Sequence, residues 1–498
     1  MNTVRCLLSG SRCRTLRHTV ILLACAILVL LLPATLFASS KWPGYPFPFV
    51  SSVSPEAVSP GVGDFTLTVY GANFNSSSIV NWNRQARQTT FISARELQTL
   101  ILASDVMQPT AGYITVTNTT PGGLLSTSAS PSALVEVHVP TAAVSVGLPN
   151  TYSESYFPLI VGDLTGSGKL DLAHSDFSSG YEQMSTMLGA GNGTFVSGAV
   201  ATDEYFGQGD AEFGDVNGDG KLDLVFTEGD YHSGTTSYIQ ANLGNGDGTF
   251  SHGKPFGNFP IAPSQFLLAD FNRDGTLDIA VASGSDHYHV PIYSGNGDGT
   301  FRAFSAVQVP YYPLAMVAGD FNGDGILDLV IESDYEFTIH LGNGDGTFQP
   351  GQMLAPNNWR NLCVFGRPLL TADFNGDGVP DLAFCNDTSI GIMIGRGDGT
   401  FEPTVFYSVG TQGDFTFAAG DFNSDGRTDL IISHENPGNA LFILLGNGDG
   451  TFGSKTMVSL PEDYVSELPI ITGDFNSDGL LDFILEPPIS TIAVFTQQ

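Results

Sequence analysis

From residue 141 onward, apolar and polar positions follow one order that keeps returning. Its clearest period runs from residue 314 to about 364. Residues 314–321 are an apolar run entering the polar stretch Asp320-Phe-Asn-Gly-Asp-Gly-Ile-Leu-Asp328, and residues 327–332 leave it as a second run. Residues 337–341 make a third, Gly342-Asn-Gly-Asp-Gly346 is a glycine-rich turn, and Thr347-Phe348 opens a fourth. Short β-branched and aromatic runs punctuated by Asn-Gly and Asp-Gly predict four strands per period. The polar stretch starts again at Asp215, Asp270, Asp373, Asp421 and Asp474, with a degenerate copy at Asp163, at spacings of 48 to 55 residues. The glycine-rich turn recurs at residues 244–250, 295–301, 395–401 and 446–452, and more weakly at 191–195. One such sheet cannot cover both its faces, so the repeated sheets are expected to stack radially as blades of a β-propeller. The Phe after the first Asp of the stretch (replaced by Leu164 and Val216 in the first two copies), and the Phe closing each glycine-rich turn, are expected to pack between blades.

The last period shows no glycine-rich turn and no fourth strand after residues 482–485 and 491–495. Residues 142–147 precede the first polar stretch much as residues 405–410 precede the sixth. A strand at 141–147 is therefore expected to complete the last sheet and remove its open edge, giving a seven-bladed propeller over 141–498. Ahead of it, residues 49–137 alternate as short strands at 65–70, 79–82, 97–102 and 113–117, divided by turns such as Gly71-Ala72-Asn73 and Pro121-Gly122-Gly123. That rhythm predicts a small β-sandwich. The fold class is all-β throughout.

Residues 1–40 read as an export signal. Arg5, Arg12, Arg14 and Arg17 precede the apolar run 20–32, which is shorter than the roughly 20 residues of a membrane span. Ala38-Ser39-Ser40 supplies small residues for cleavage before Lys41, and an uncleaved membrane anchor is the alternative. Residues 41–48 are a proline-rich spacer. The chain is thus expected to be secreted or held in the cell envelope. Its 51 acidic and 18 basic residues give a net charge of −33, which argues against a nucleic-acid partner because nothing offsets phosphate repulsion. Three of five cysteines lie in the leader; Cys363 and Cys385 are either a disulfide or two core thiols.

The polar stretches also concentrate the acid. In residues 320–328, oxygen-bearing side chains fall at Asp320, Asn322, Asp324 and Asp328, with Gly325 free to take positive φ and the Ile326 carbonyl placed to add an oxygen. Alternate oxygens on a tight turn suit a hard cation such as Ca²⁺. An EF-hand begins alike but needs an acid at its twelfth position, where this chain has Phe226, Val281, Ile331, Phe384, Ile432 and Leu485. Tandem nonapeptide β-rolls are excluded because these stretches occur once per period.

The pattern Asp-x-Asn-x-Asp-Gly-x-x-Asp within a blade-length period resembles the FG-GAP/VCBS repeats of integrin-α-like propellers. That resemblance implies calcium held by Asp215, Asn217, Asp219, Lys221 (carbonyl) and Asp223 in the second repeat, and by Asp270, Asn272, Asp274, Thr276 and Asp278 in the third. It implies the same of Asp320, Asn322, Asp324, Ile326 and Asp328, then of Asp373, Asn375, Asp377, Val379 and Asp381. The last two sets are Asp421, Asn423, Asp425, Arg427 and Asp429, and Asp474, Asn476, Asp478, Leu480 and Asp482. The first stretch departs from the pattern: Asp163, Thr165, Ser167 and Asp171 keep two carboxylates, so a weak or empty seventh site is expected. Residues 49–137 resemble the IPT/TIG immunoglobulin-like family through Val53-Ser-Pro55, the strand 66–69 into Gly71-Ala-Asn-Phe74, Val80-Asn-Trp-Asn83, and residues 114–118 before Gly122-Gly123.

Propeller topology places the acidic loops and glycine-rich turns on one face. The opposite loops carry Tyr181, Tyr205, Phe206, Tyr231, His232, His287-Tyr288-His289, Tyr311-Tyr312, Tyr335, Trp359-Arg360 and Tyr464, a composition suited to sugar stacking or protein docking. Amphipathic residues are equally ordinary on loop tips. Arg396-Gly397-Asp398 spells an adhesion tripeptide where sister repeats read Asn-Gly-Asp, so repeat drift accounts for it. No nucleophile elbow, phosphate loop or zinc-protease motif occurs. The expected function is non-enzymatic binding of an extracellular glycan or protein; a polysaccharide lyase or hydrolase on a propeller scaffold is the alternative.

Overall fold

A computed structural model describes residues 47–497 except 120–124, 128–132, 139–148, 154–155, 177–182, 203–205, 229–236, 261–262, 284–287, 334–335, 355–368, 387, 411–414, 435–439, 459, 461–468 and 486–490. Tyr45–Gln498 form one compact, all-β unit. The leader and residues 41–46 of the spacer lie outside the described residues, among which no helix is long and apolar enough to cross a membrane.

Residues 49–137 build two sheets. One runs Phe49–Ser54, Phe65–Ala72, Glu96–Ile101, Thr89–Ser93; the other is centred on Thr110–Thr119, flanked by Ile79–Trp82 and Ala133–Val137. Strand alternation sends one set of side chains from each sheet inward, and Leu67, Val69, Val80, Leu97, Ile114, Val116 and Val135 meet there without solvent exposure.

Seven sheets follow, one per period. In the fourth, Pro313–Gly319, Asp328–Ser333, Phe337–His340 and Gln352–Leu354 pair antiparallel in chain order. Gly319 faces Asp328 across the acidic loop, and the residue before the first Asp faces the ninth in all the others. The first strands of successive sheets lie side by side, and that of the seventh also touches that of the first.

The last sheet takes its outer strand from far upstream: Asn150–Ser153 pairs antiparallel with Thr491–Phe495. The expected strand at 141–147 lies outside the described residues; the strand observed in this role, Asn150–Ser153, begins three residues after that range ends. Its signature is Thr151-Tyr152-Ser153, matching Phe406-Tyr407-Ser408. Each Tyr hydroxyl accepts the amide of a turn-closing Phe, Phe195 at 2.7 Å and Phe452 at 3.1 Å.

Adjacent sheets meet through the expected phenylalanines. Phe271, Phe321 and Phe374 pack on Phe348, Phe401 and Phe452 of the next repeat at 5.7, 5.7 and 5.4 Å between ring centres, and Phe475 packs on Phe195 of the first repeat at 5.9 Å. The same junctions carry amide-to-carbonyl bonds such as Gly399 to Phe321 (2.9 Å) and Gly193 to Phe475 (2.9 Å). Acidic loops and glycine-rich turns therefore do share a face. Cys385 is disulfide-bonded; Cys363 lies outside the described residues.

Candidate metal loops and their cover

Each acidic loop is wound by its own side chains. At Asp320 the two carboxylate oxygens accept the Asp324 and Gly325 amides (3.0 and 2.8 Å), Asn322 Oδ1 accepts the Asp324 amide (2.9 Å), and Asp324 Oδ1 accepts that of Ile326 (2.8 Å). Gly325 sits at φ 79°, a left-handed conformation that a side chain would strain. The first-position and third-position bonds recur at Asp215 and Asn217, Asp270 and Asn272, Asp373 and Asn375, Asp421 and Asn423, and Asp474 and Asn476. The seventh-position amides of Lys221, Thr276, Val379 and Leu480 donate to Asp219, Asp274, Asp377 and Asp478.

The ninth Asp has a separate job. Asp328, fully buried, accepts the Phe321 amide on one oxygen (3.0 Å) and the Gly342 amide on the other (2.8 Å), tying the acidic loop to the third strand. Asp223, Asp381, Asp429 and Asp482 make the equivalent pair of bonds, and Asp278 a similar pair through the Asn272 and Gly295 amides. So does Asp171 of the degenerate loop, through Leu164 and Gly189 (2.9 and 2.8 Å). A carboxylate offers about four lone pairs, so two amides leave capacity for a cation.

Electrostatically the loops are short of positive charge. Burial pushes Asp328 up to about 7, with Asp320 and Asp324 adding repulsion, and Asp381, Asp429 and Asp482 up to about 8 for the same reasons. Among the described residues, no three Asp, Glu, His or Cys side chains already converge as a finished metal cage. The donor set fits a hard cation in kind: carboxylate and amide oxygens alternate round each turn, and Asp425 Oδ1 is buried without a hydrogen-bond partner.

The loops are partly covered by the N-terminal residues. Residues 47–138 lie over six of the seven. Phe47 N donates to Asp270 (2.5 Å), Asn73 N to the Gly325 carbonyl (3.1 Å), Arg95 to that of Gly378 (3.4 Å), and Tyr113 Oη to that of Asp474 (3.1 Å). Glu136 bonds Ser424 in the sixth loop. The degenerate first loop is met by a cation of the chain itself, with the Arg84 guanidinium against Asp163. In the second loop Gly218 and Gly220 have open space before them. Sequence reasoning missed this cover, because nothing in Glu56, Arg84 or Glu136 marks them as facing acidic loops more than 70 residues away.

Of the opposite-rim candidates, Tyr288, Tyr311 and Tyr312 are 56%, 41% and 38% exposed. His289 begins a strand, and Phe206 begins another. Tyr181, Tyr205, Tyr231, His232, His287, Tyr335, Trp359, Arg360 and Tyr464 lie outside the described residues. Asp398 of the adhesion-like tripeptide accepts the Thr400 amide and hydroxyl (3.0 and 2.5 Å), as Asp345 does from Thr347, so it is an ordinary turn residue of the array. Two further half-buried acids were not anticipated: Asp210 and Glu212 on one first strand accept the Phe266 and Leu268 amides of the next (2.9 and 3.0 Å).

The FG-GAP-like repeat model matches residues 163–226, 215–281, 270–331, 373–432 and 421–485, more than half of the chain. No curated protein matches. Among solved structures, the BP39L lectin from Burkholderia pseudomallei is similar at 12% identity and a TM-score of 0.50, covering 70% of this chain and 97% of its own. An Agrocybe aegerita lectin, described as recognising non-reducing terminal N-acetylglucosamine, covers 68% of this chain and 86% of its own at 19% identity and a TM-score of 0.48. At such identity the BP39L likeness speaks for a propeller-like fold alone.

Proposed function

This chain belongs to the FG-GAP-like repeat family, and from that premise we propose that it is an exported binding module for an extracellular glycan or protein. Its scaffold is a seven-bladed propeller closed by Asn150–Ser153 and preceded by an IPT/TIG-like sandwich. Calcium occupies the six full loops, through their first, third and fifth side chains, the seventh carbonyl and the ninth Asp. There it supplies the counter-charge that the buried carboxylates lack and fixes the loops; it performs no reaction. The binding reading is carried by the contrast between the two faces: the covered face is tied up by internal bonds, whereas the opposite rim exposes Tyr288, Tyr311 and Tyr312. Tyrosine offers an apolar face and a polar edge to a sugar ring or a protein surface.

A glycan array probed with the purified protein in calcium and in EDTA, beside circular dichroism as a folding control, tests this. Binding in calcium by folded protein is expected. Release of new reducing or unsaturated ends from a bound polysaccharide replaces the binding module with an enzyme. An unfolding transition that EDTA leaves unmoved refutes the calcium assignment.

A further inference from the structure

A cavity lies where residues 81–117 meet the first two repeats, with Asp474 and Ser477 of the last repeat at its edge. It has a volume of about 770 Å³, within the roughly 300–1,000 Å³ of small-molecule sites. Its two walls differ. Strand Thr110–Thr119 sends Ile114 and Val116 into the sandwich core, so Ala111, Tyr113, Thr115 and Thr117 stand on its other face, beside Asn81 of the paired strand. On a free-standing sandwich that polar face meets water; here it meets the repeats. The facing wall is Leu164, Leu170 and Leu222, with Lys221 and Asn245 at its border.

The polar wall is set in advance. Asn81 Nδ2 donates to Thr117 Oγ1 (2.9 Å) and Thr115 Oγ1 (3.3 Å), which fixes the amide plane. The Asn81 carbonyl oxygen is then left to accept and the Thr115 hydroxyl hydrogen to donate. A sugar hydroxyl does both at once, and the C–H face of its ring suits the leucines opposite. The charged groups at the edge are largely matched within the chain: Arg84 lies against Asp163, and Lys221 is 3.8 Å from Asp219. Asp215 and Asp474 also reach the lining, where amides of their own loops hold them (Gly220 at 2.8 Å and Gly479 at 3.0 Å), so what the cavity offers a ligand is chiefly its polar wall.

We propose that this cavity is a binding site for a neutral saccharide, with Asn81 and Thr115 reading its hydroxyls. The site is distinct from the tyrosine-bearing rim and rests on the glycan reading given above. An array of neutral oligosaccharides is probed with the full chain in calcium, and each hit is titrated as free sugar by calorimetry. Asn81→Leu with Thr115→Val removes the polar wall, Ala111→Phe fills the space, and Tyr311→Ala with Tyr312→Ala strips the rim. All are checked for an unchanged unfolding transition. A tenfold or greater loss of affinity in both cavity variants, with the rim variant near wild type, supports the site. Affinity lost only in the rim variant overturns the cavity assignment and leaves the glycan reading standing. No hit with wild type overturns both. Should the double variant unfold, Ala111→Phe alone decides.

Discussion

The ninth Asp of each loop is a ligand candidate and a backbone staple, and the degenerate loop separates the two roles. Asp171 is 1% exposed and accepts the Leu164 and Gly189 amides, while Thr165 and Ser167 stand where its sister loops have Asn and Asp. Asp171→Asn keeps the shape but turns one acceptor into a donor facing an N–H. Losing one hydrogen bond to a charged group costs about 1.5–3 kcal/mol, and a buried amide left unpaired costs about 1–3 more. Burial also raises the Asp171 pKa, so removing its charge returns part of this. A net loss of roughly 2–4 kcal/mol remains, equivalent to about thirtyfold to several hundredfold in local opening. Hydrogen exchange at Leu164 and Gly189 measures it directly. The loss is expected to be equal in calcium and in EDTA, with calcium stoichiometry unchanged. Unaltered protection of both amides, or a loss seen only in calcium, refutes the staple and leaves the ninth Asp as a ligand alone.

Phe374→Ala empties a 2%-exposed position between two repeats and is expected to cost about 3–5 kcal/mol in urea unfolding. Arg84→Gln removes the guanidinium from Asp163 and should speed proteolytic separation of residues 47–138 from the repeats without altering the number of bound calcium ions; slower or unchanged cleavage counts against Arg84 as the first loop's own cation. Burial pushes Asp210 to about 7 and Glu212 well above the usual carboxylate range. Folded values above unfolded ones mean that the stability these groups hold at acid pH is lost as pH rises towards and beyond 7. In saturating calcium the urea midpoint should therefore fall between pH 4 and 8, and Asp210→Asn with Glu212→Gln should flatten that fall.

Much of the scaffold was legible because it repeats. Four strands per period, the turn glycines and the Phe at each junction are local signals multiplied by copying, and Phe271, Phe321 and Phe374 sit where the period places them. The range expected for the closing strand, 141–147, lies outside the described residues; the strand seen in that role carries Tyr152, whose hydroxyl accepts the Phe195 amide. The cover over the loops was not legible at all. Its contacts run mostly through backbone groups, such as Asn73 to Gly325 and Tyr113 to Asp474, and a carbonyl leaves no trace in side-chain identity.

That cover changes what degeneracy in the first loop means. Read alone, Thr165 and Ser167 are a metal site in decay. In the fold, losing two potential ligands there coincides with the arrival of Arg84, whose fixed positive charge answers Asp163 whether or not calcium is present. Asp163 already accepts the Ser167 and Gly168 amides (2.9 and 2.7 Å), so the guanidinium adds a full positive charge to a carboxylate that its own loop holds in place. The Arg84–Asp163 contact ties the N-terminal sheets to the repeats at the edge of the cavity that Asn81 lines. The wall that holds Asn81 and Thr115 is thereby positioned by a contact within the chain itself, while the six full loops carry the carboxylates for which calcium is proposed.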